Sequence, residues 1–150
     1  MERLKNKVVG LDTMIFIYHF DNNQKYSQLT YLILESMENG QFQGITSTLT
    51  LLELLVKPKK EKNQFISDKY KLILQNFPNL QIKSLDEEIA DIASDIRAKY
   101  AINTPDAIQI ATSLSARADY FLTNDLYLKK IQDIEILLLD DIEKDKSPFN

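Results

Sequence analysis

Residues 8–13 read Val-Val-Gly-Leu-Asp-Thr, a short apolar run that ends at an acid. An apolar run of this length, bounded by polar residues, predicts a buried strand. A carboxylate at the end of a buried strand loses hydration free energy unless it is paired, so packing alone explains Asp12 poorly. The stretch therefore predicts a strand of a covered sheet and, at its end, a functional acid.

Strands alternate with helices along the rest of the chain. Short apolar runs predict further strands at residues 44–47, 80–85, 120–123 and 134–139. Apolar residues at helical spacing predict helices at residues 13–20, 26–37, 49–56, 64–77, 86–100, 105–118 and 126–131. Pro58 is expected to end the helix that begins near Leu49. This alternation predicts an α/β fold with a central, mostly parallel sheet of four to five strands flanked by helices.

The composition limits the kinds of site that the chain can form. Its 150 residues are expected to form one domain, residues 1–150, with the charged segment 140–150 as a frayed tail. The chain has no cysteine and a single histidine, His19, which excludes disulfides and thiolate sites and disfavours zinc. A bound metal ion would be held by oxygen, which favours Mg²⁺ or Mn²⁺.

The charge pattern bears on location and partners. Residues 1–7 are charged, and Asp12 interrupts the apolar run after them, so we expect neither a signal peptide nor a membrane span. We therefore expect the protein to be cytoplasmic. The formal net charge of −4 argues against a general nucleic-acid coat protein. It is compatible with a nuclease, in which acids bind metal while local lysines contact phosphate.

Three further acids stand where a helix begins or a strand ends. Glu53 lies early in the helix after the second strand, Asp106 opens the helix that leads into the fourth strand, and Asp125 follows that strand. In right-handed strand–helix–strand units these positions meet at the carboxyl edge of the sheet, where ligands bind in open α/β folds. Together with Asp12, four carboxylates would repel one another unless some bind protons or a cation is present. The pattern therefore favours a site for a hard divalent cation.

Each of these three acids also has a purely structural explanation. Glu53 completes a capping box with Thr50, Asp106 follows a predicted N-cap at Thr104, and Asp125 is placed to cap the helix after it. Neighbouring hydroxyls could orient carboxylates or a metal-bound water, or could act as caps; these are Thr13, Ser47 and Thr123. Both explanations stay open for each residue, and only convergence of all the acids would separate them.

The basic residues near these acids have two explanations as well. Residues 57–62 read Lys-Pro-Lys-Lys-Glu-Lys and form either a solvated loop or a patch that contacts phosphate. Arg97 and Lys99 precede the helix of Asp106 and could reach the same groove. His19 is expected to be a packed or partly exposed residue rather than a catalytic one, and the tyrosines and phenylalanines stand at core spacings.

In their order and spacing these motifs resemble the PIN domain family, and within it the VapC-like toxin ribonucleases of toxin–antitoxin pairs. The resemblance runs from Val8 to Leu139, nearly the whole chain. It rests on Val9-Gly10-Leu11-Asp12-Thr13, on Ser47 followed by Glu53-Leu54 and Pro58, on Thr104-Pro105-Asp106-Ala107-Ile108, and on residues 118–125, Ala-Asp-Tyr-Phe-Leu-Thr-Asn-Asp.

The resemblance implies a metal-dependent endoribonuclease that hydrolyses phosphodiester bonds of RNA, with Mg²⁺ or Mn²⁺ as its cofactor. Four acids match the family's metal-binding and catalytic quartet: Asp12, Glu53, Asp106 and Asp125. Thr123 matches the hydroxyl that often precedes the last acid, and Ser47 matches the small polar residue after the second strand; both are expected to orient ligands. The resemblance also implies a small antitoxin protein as partner and a homodimer.

Two other classes of function fit parts of the pattern. A catalytically silent PIN-fold module that only binds RNA or protein would tolerate Glu53→Gln and would cleave no RNA; the intact quartet argues against it. A phosphoacceptor or phosphatase domain with a similar sheet would need an acid beside Asp12 and a lysine that closes the last strand. The sequence supplies neither, because the last strand ends at Leu138-Leu139-Asp140.

Overall fold

Strands and α-helices alternate along residues 1–144, the part of the chain that the computed structural model describes. The strands are β1 (Val8–Leu11), β2 (Gln43–Ser47), β3 (Leu80–Lys83), β4 (Tyr120–Thr123) and β5 (Glu135–Leu138). The helices are α1 (Thr13–Phe20), α2 (Ser27–Glu38), α3 (Thr48–Lys60), α4 (Gln64–Gln75), α5 (Glu87–Tyr100), α6 (Thr104–Ser115) and α7 (Leu139–Lys144). Short 3-10 helices span Glu2–Leu4 and Leu126–Lys130. Within residues 1–144, no helix has the length and apolar character needed to cross a membrane.

All the strands run parallel in one sheet, in the order β3-β2-β1-β4-β5. This confirms the predicted α/β fold with a parallel sheet flanked by helices. β1 is the central strand, and its apolar sequence suits a position that is paired on both sides and covered on both faces. β1 pairs with β4 in a register that sets Leu11 opposite Leu122. The next residues along, Asp12 and Thr123, therefore emerge side by side at the carboxyl edge.

Two apolar cores cover the two faces of the sheet. On one face Leu122 of β4 belongs to the same core as Phe16 of α1 and Ile33 of α2. On the other face Phe121 belongs to the same core as Ile110 of α6. Successive residues of a strand point to opposite faces, which is why these two neighbours serve different cores. The second core fixes α6 against the sheet.

Gly10 allows α6 to pack closely against β1. A Cβ atom at this position would lie 2.0 Å from Oγ and 2.7 Å from Cβ of Ser113 in α6. Gly10→Ala is therefore expected to push α6 away from the sheet and to lower the free energy of unfolding by about 1–3 kcal/mol, the usual effect of overpacking. Thermal or urea-induced unfolding measures this loss.

Gly44→Ala in β2 is the matched control. A Cβ atom there would lie 2.2 Å from Sδ of Met37, which belongs to a flexible side chain that can adopt another rotamer. We expect a smaller loss of stability than for Gly10→Ala. An equal or larger loss would mean that the contact between Gly10 and Ser113 does not limit the packing of α6.

Helix α3 continues past Pro58, so the prediction that this proline ends the helix is wrong. Proline removes one backbone hydrogen bond and disfavours helix interiors, but packing can compensate for that loss. Pro58 is buried, and its carbonyl accepts a hydrogen bond of 2.8 Å from the N–H of Asn63. Contact between α3 and α4 thus outweighs the missing hydrogen bond.

The C-terminal segment is helical further than its charge predicts. Residues 140–144 belong to α7, and Ile142 is fully buried in the same core as Leu139. Burial of an apolar side chain stabilises a short helix that its charged neighbours alone would not. The prediction of a frayed tail is therefore wrong for residues 140–144, and residues 145–150 lie outside the described residues.

Candidate metal centre

One cleft at the carboxyl edge of the sheet brings the predicted acids together. Its volume is about 430 Å³. The order of the strands explains its position, because β2 and β3 lie on one side of β1 and β4 lies on the other, which makes a topological switch point. The lining residues are Asp12, Thr13, Met14, Ile17, Glu53, Val56, Pro105, Asp106, Gln109 and Asp125. Acids that are spread along the whole chain therefore share one cleft.

Asp12 is held where β1 ends. Its N–H donates to the carbonyl of Leu122 at 3.0 Å, which continues the pairing of β1 with β4 by one residue. Its Oδ2 accepts a hydrogen bond of 2.6 Å from Oγ1 of Thr123. Burial, together with the charges of Asp106 and Glu53, raises the pKa of Asp12 from 3.8 to about 6 against the lowering effect of the Thr123 hydrogen bond. A cation in the cleft would favour the ionised form of this carboxyl group.

Asp106 lies in the first turn of α6 and lines the cleft. The N-cap is Asn103 rather than Thr104: its Oδ1 accepts from the N–H of Asp106 at 2.9 Å, and its Nδ2 donates to Oδ2 of Asp106 at 2.7 Å. Burial raises the pKa of Asp106, and the charges of Asp125 and Glu53 raise it further, whereas the hydrogen bond from Asn103 lowers it. The side-chain hydrogen bond from Asn103 thus engages one carboxylate oxygen of Asp106 and leaves Oδ1 for the cleft.

Thr123 links Asp125 to Asp12. Oγ1 of Thr123 is buried, accepts a hydrogen bond of 3.1 Å from the N–H of Asp125 and donates to Asp12. Asp125 also caps the 3-10 helix that follows, because its Oδ1 accepts from the N–H of Tyr127 at 2.8 Å. One hydroxyl therefore holds two of the acids in a fixed relation.

Glu53 is not part of a capping box, because α3 begins earlier than that interpretation requires. Ser47 is the N-cap, and its Oγ accepts from the N–H of Leu49 at 3.0 Å. Thr50 lies inside the helix with its hydroxyl buried. Glu53 is therefore available to the cleft, whereas Ser47 acts as a cap and is not among the lining residues.

A buried polar network borders the cleft, and no sequence motif pointed to it. Nε2 of Gln109 in α6 donates to Oγ1 of Thr13 at 3.0 Å and to Oγ1 of Thr50 at 2.8 Å. Oε1 of Gln109 is buried and accepts no hydrogen bond from any residue of the described chain. A signal was nevertheless present: Gln109 follows Asp106 by three positions and so shares its face of α6.

The donor atoms suit a hard divalent ion that is held partly through water. Every acid of the cleft offers carboxylate oxygens, and Oε1 of Gln109 is a further oxygen without a partner among residues 1–144. Over the same residues, no three acidic or histidine side chains form a ready-made cage for a metal ion. Mg²⁺ usually binds through one or two carboxylates and keeps several waters. Direct binding by some acids and water-mediated contact with the others therefore fits this cleft better than a closed cage.

The basic residues considered as phosphate contacts do not line the cleft. Nζ of Lys57 lies 3.0 Å from Oδ1 of Asp21. Lys99 pairs with Asp133 at 3.1 Å, and Nε of Arg97 donates to a backbone carbonyl just after α5 at 3.2 Å. Lys57 also lines a small neighbouring cavity together with Glu53, whereas the charged residues that line the main cleft are all acids.

His19 is a packed residue, as its sequence context predicted. Its ring stacks on that of Tyr31 and meets that of Phe20 edge-on, with centroids 6.2 Å and 5.4 Å away. Burial lowers the pKa of His19, which favours the neutral ring. It does not line the acidic cleft.

Fold and site together define a class of protein: a parallel α/β domain with an acidic cleft at the switch point of its sheet. The chain belongs to the PIN domain family, whose model matches residues 9–134. All the acids of the cleft lie within this range.

The fold is similar to that of several solved proteins. A chain of VapBC2 from Rickettsia felis, solved with a DNA fragment from its promoter, matches with a TM-score of 0.70 and 19% identity over 87% of this chain and 98% of that chain. For a toxin–antitoxin complex from Klebsiella pneumoniae the TM-score is 0.66, with 22% identity over 88% of this chain and 97% of that chain. For FitAcB from Neisseria gonorrhoeae it is 0.64, with 22% identity over 87% of this chain and 96% of that chain. No curated protein sequence matches significantly.

Proposed function

We propose that this protein is a metal-dependent endoribonuclease. One observation carries the proposal: acids from separate strands and helices line one cleft, and burial and mutual repulsion raise the pKa of Asp12 and of Asp106. A divalent cation stabilises such a group of carboxylates, and Mg²⁺ or Mn²⁺ suits their oxygen atoms. Membership of the PIN family supports nuclease chemistry.

The residues of the cleft divide the work of phosphodiester hydrolysis. When bound, the metal ion supplies an activated water and neutralises charge that develops on the phosphate. Asp12, Asp106 and Asp125 would hold it directly or through water. Glu53 would complete this set or accept a proton from the attacking water. Thr123 keeps the Asp12 carboxylate in position through its hydrogen bond of 2.6 Å.

We also propose a small antitoxin protein as partner, a homodimer, and a cytoplasmic location. The solved structure from Klebsiella pneumoniae that has a similar fold is a toxin–antitoxin complex, which supports the antitoxin partner. Helices α3 and α4 expose apolar side chains that a partner could cover, namely Leu52, Val56, Phe65 and Leu72. Val56 also lines the cleft, so a partner bound there would obstruct it. Co-purification with a small protein encoded beside this gene tests the antitoxin, and light scattering of the isolated chain tests the dimer.

Glu53→Gln is expected to slow RNA cleavage by about 10²-fold or more, the usual contribution of a group that transfers a proton or holds a charged reactant. The change removes the negative charge and keeps the shape of the side chain. The assay follows cleavage of labelled single-stranded RNA by the purified protein with Mg²⁺ or Mn²⁺, and addition of EDTA defines the background.

Glu61→Gln is the matched control for this substitution. Glu61 is the exposed residue that follows α3, and it does not line the cleft. The same chemical change there is expected to leave the cleavage rate unchanged. Wild-type rates for Glu53→Gln would contradict its assigned role, and absence of metal-dependent cleavage by the wild-type protein would contradict the proposed function itself.

A further inference from the structure

Gln109 has an unusual environment for a residue of a helix interior. Its side chain is 3% exposed and lines the acidic cleft. Its amide nitrogen donates to the hydroxyls of Thr13 and Thr50. Its amide oxygen, equally buried, accepts no hydrogen bond from the residues that the structure describes. A buried carbonyl without a hydrogen bond destabilises the folded protein, so this atom requires a donor that residues 1–144 do not supply.

The surrounding hydroxyls fix which way the amide faces. Thr46 donates its hydroxyl proton to the carbonyl of Leu11 at 3.0 Å, so the contact of 2.7 Å between Thr46 and Thr50 requires the proton of Thr50. The contact of 3.0 Å between Thr13 and Thr50 then requires the proton of Thr13. Both hydroxyls next to Gln109 are thereby left as acceptors for its Nε2. A flipped amide would set Oε1 against oxygens with no proton to give.

The position of Gln109 limits the kind of donor that can reach Oε1. Gln109 lies one helical turn after Asp106, and its partner Thr13 directly follows Asp12. Because Oε1 is buried, any donor must displace neighbouring atoms to reach it, and a single water needs a smaller displacement than a nucleotide or a protein side chain. A divalent ion held by the neighbouring acids carries such water with it.

We propose that Gln109 is a positioning residue of the metal centre: its Oε1 accepts a hydrogen bond from a water in the shell of the bound ion. The threonine chain from Leu11 through Thr46 and Thr50 holds the amide in the orientation that presents Oε1. This inference rests on the proposed function, because it requires that a divalent ion binds in the cleft. Groups that orient the shell of a metal ion commonly change its affinity by about 10–100-fold when they are removed.

The test compares Mn²⁺ binding by Gln109→Met and Thr50→Val. Both substitutions break the hydrogen bond between the amide and the hydroxyl of Thr50, but only Gln109→Met removes Oε1. We expect the dissociation constant for Mn²⁺, measured by electron paramagnetic resonance or calorimetry, to rise about tenfold or more in Gln109→Met. We expect a smaller rise, about threefold, in Thr50→Val, because Nε2 keeps its hydrogen bond to Thr13 while Oε1 remains present. Thermal unfolding of the metal-free proteins reports the purely structural effect of each change.

Equal losses of Mn²⁺ affinity in the two variants would show that Gln109 acts only through the threonine network. Wild-type affinity in Gln109→Met would show that Gln109 has no role in binding the ion. Either result overturns the inference. If Gln109→Met does not fold, Gln109→Asn decides, since it keeps a neutral amide but withdraws the acceptor oxygen, and it is expected to bind Mn²⁺ about tenfold more weakly than wild type. Wild-type affinity in Gln109→Asn overturns the inference. If the wild-type protein cleaves RNA and binds Mn²⁺, and the Gln109 variants bind Mn²⁺ equally well, only this inference is refuted. If the wild-type protein neither cleaves RNA nor binds Mn²⁺, the proposed function is refuted as well.

Discussion

Asp12→Asn is expected to abolish metal-dependent RNA cleavage and, in the metal-free protein, to raise the temperature of unfolding. Both effects have one cause. Burial and the charges of Asp106 and Glu53 make the ionised carboxyl group of Asp12 unfavourable in the folded protein unless a cation is present. An amide keeps the shape of the side chain and removes the charge on which the ion depends.

The size of the stability effect follows from the pKa of Asp12. A rise from 3.8 to about 6 on folding corresponds to roughly 3 kcal/mol at neutral pH, where the group is ionised in both states. Residual hydration at the mouth of the cleft reduces this figure, so an increase of a few degrees in the unfolding temperature is the expected result. Cleavage should fall by about 10³-fold or more, because the metal site loses its central carboxylate.

Asp119→Asn serves as the matched control. Asp119 precedes β4 at the opposite edge of the sheet, where its Oδ2 accepts a hydrogen bond of 2.9 Å from the N–H of Val8 and its Oδ1 lies 3.1 Å from Nζ of Lys7. These contacts lower the pKa of Asp119, so its charge is favourable in the folded protein. The control should therefore cleave RNA normally and unfold at a lower temperature. Cleavage by Asp12→Asn at the wild-type rate would contradict the site.

The sequence predicted the fold and the convergence of the acids because both follow from chain direction. A strand such as 8–11 that is apolar on both faces is typical of a parallel sheet with helices on both faces. The carboxyl ends of parallel strands all lie at one edge of such a sheet. The ends of elements were harder to predict. Pro58 lies within α3 because tertiary contact with α4 compensates for a lost hydrogen bond, and a local rule contains no information about that contact.

Capping and metal binding turned out to be compatible explanations for the same acid. Asp106 is bonded to its N-cap Asn103 through Oδ2, and Asp125 caps a 3-10 helix through Oδ1, yet both line the cleft. A carboxylate has two oxygens, so one can fix the side chain while the other faces a ligand. The hydrogen bonds of Asp106 and Asp125 at the starts of helices therefore also fix the positions of these acids in the site.

Gln109 shows what the sequence alone could not supply. Three positions after Asp106, it could have been one more polar residue on a helix surface. Its significance depends on burial, on the hydroxyls of Thr13 and Thr50, and on an oxygen without a partner among residues 1–144. These are properties of side chains brought together from three separate helices, which no local pattern encodes.

Mn²⁺ or Mg²⁺ is expected to stabilise the folded protein, and to do so more strongly at pH 7.5 than at pH 5. An ion present at about 100 times its dissociation constant adds about 2.7 kcal/mol to the free energy of unfolding. For a chain of this length that corresponds to a rise of roughly 5–10 °C in the unfolding temperature. Differential scanning fluorimetry or calorimetry with and without the ion measures the shift, and EDTA should reverse it.

The sign of the pH effect follows from the raised pKa values in the cleft. Between about pH 4 and pH 6 the folded protein binds more protons at Asp12 than the unfolded chain does, so the stability of the metal-free protein falls as the pH rises through this window. Burial also raises the pKa of Asp106, which acts in the same direction. Asp119 and Asp133 have lowered pKa values, so their contributions are lost only as the pH falls below about 4.

Metal binding restores the stability that the metal-free protein loses as the pH rises, because the ion takes the place of the protons on the carboxyl groups of the cleft. At pH 5 a carboxyl group with a pKa of about 6 is protonated roughly ten to one, so the ion competes with a proton and binds about tenfold more weakly. The stabilisation should then be smaller by about 1.4 kcal/mol than at pH 7.5. Asp12→Asn should remove both the shift with metal and most of its dependence on pH. Equal stabilisation at both pH values would mean that the ion binds elsewhere on the protein, away from the buried carboxylates of the cleft, whose ionised forms a cation favours.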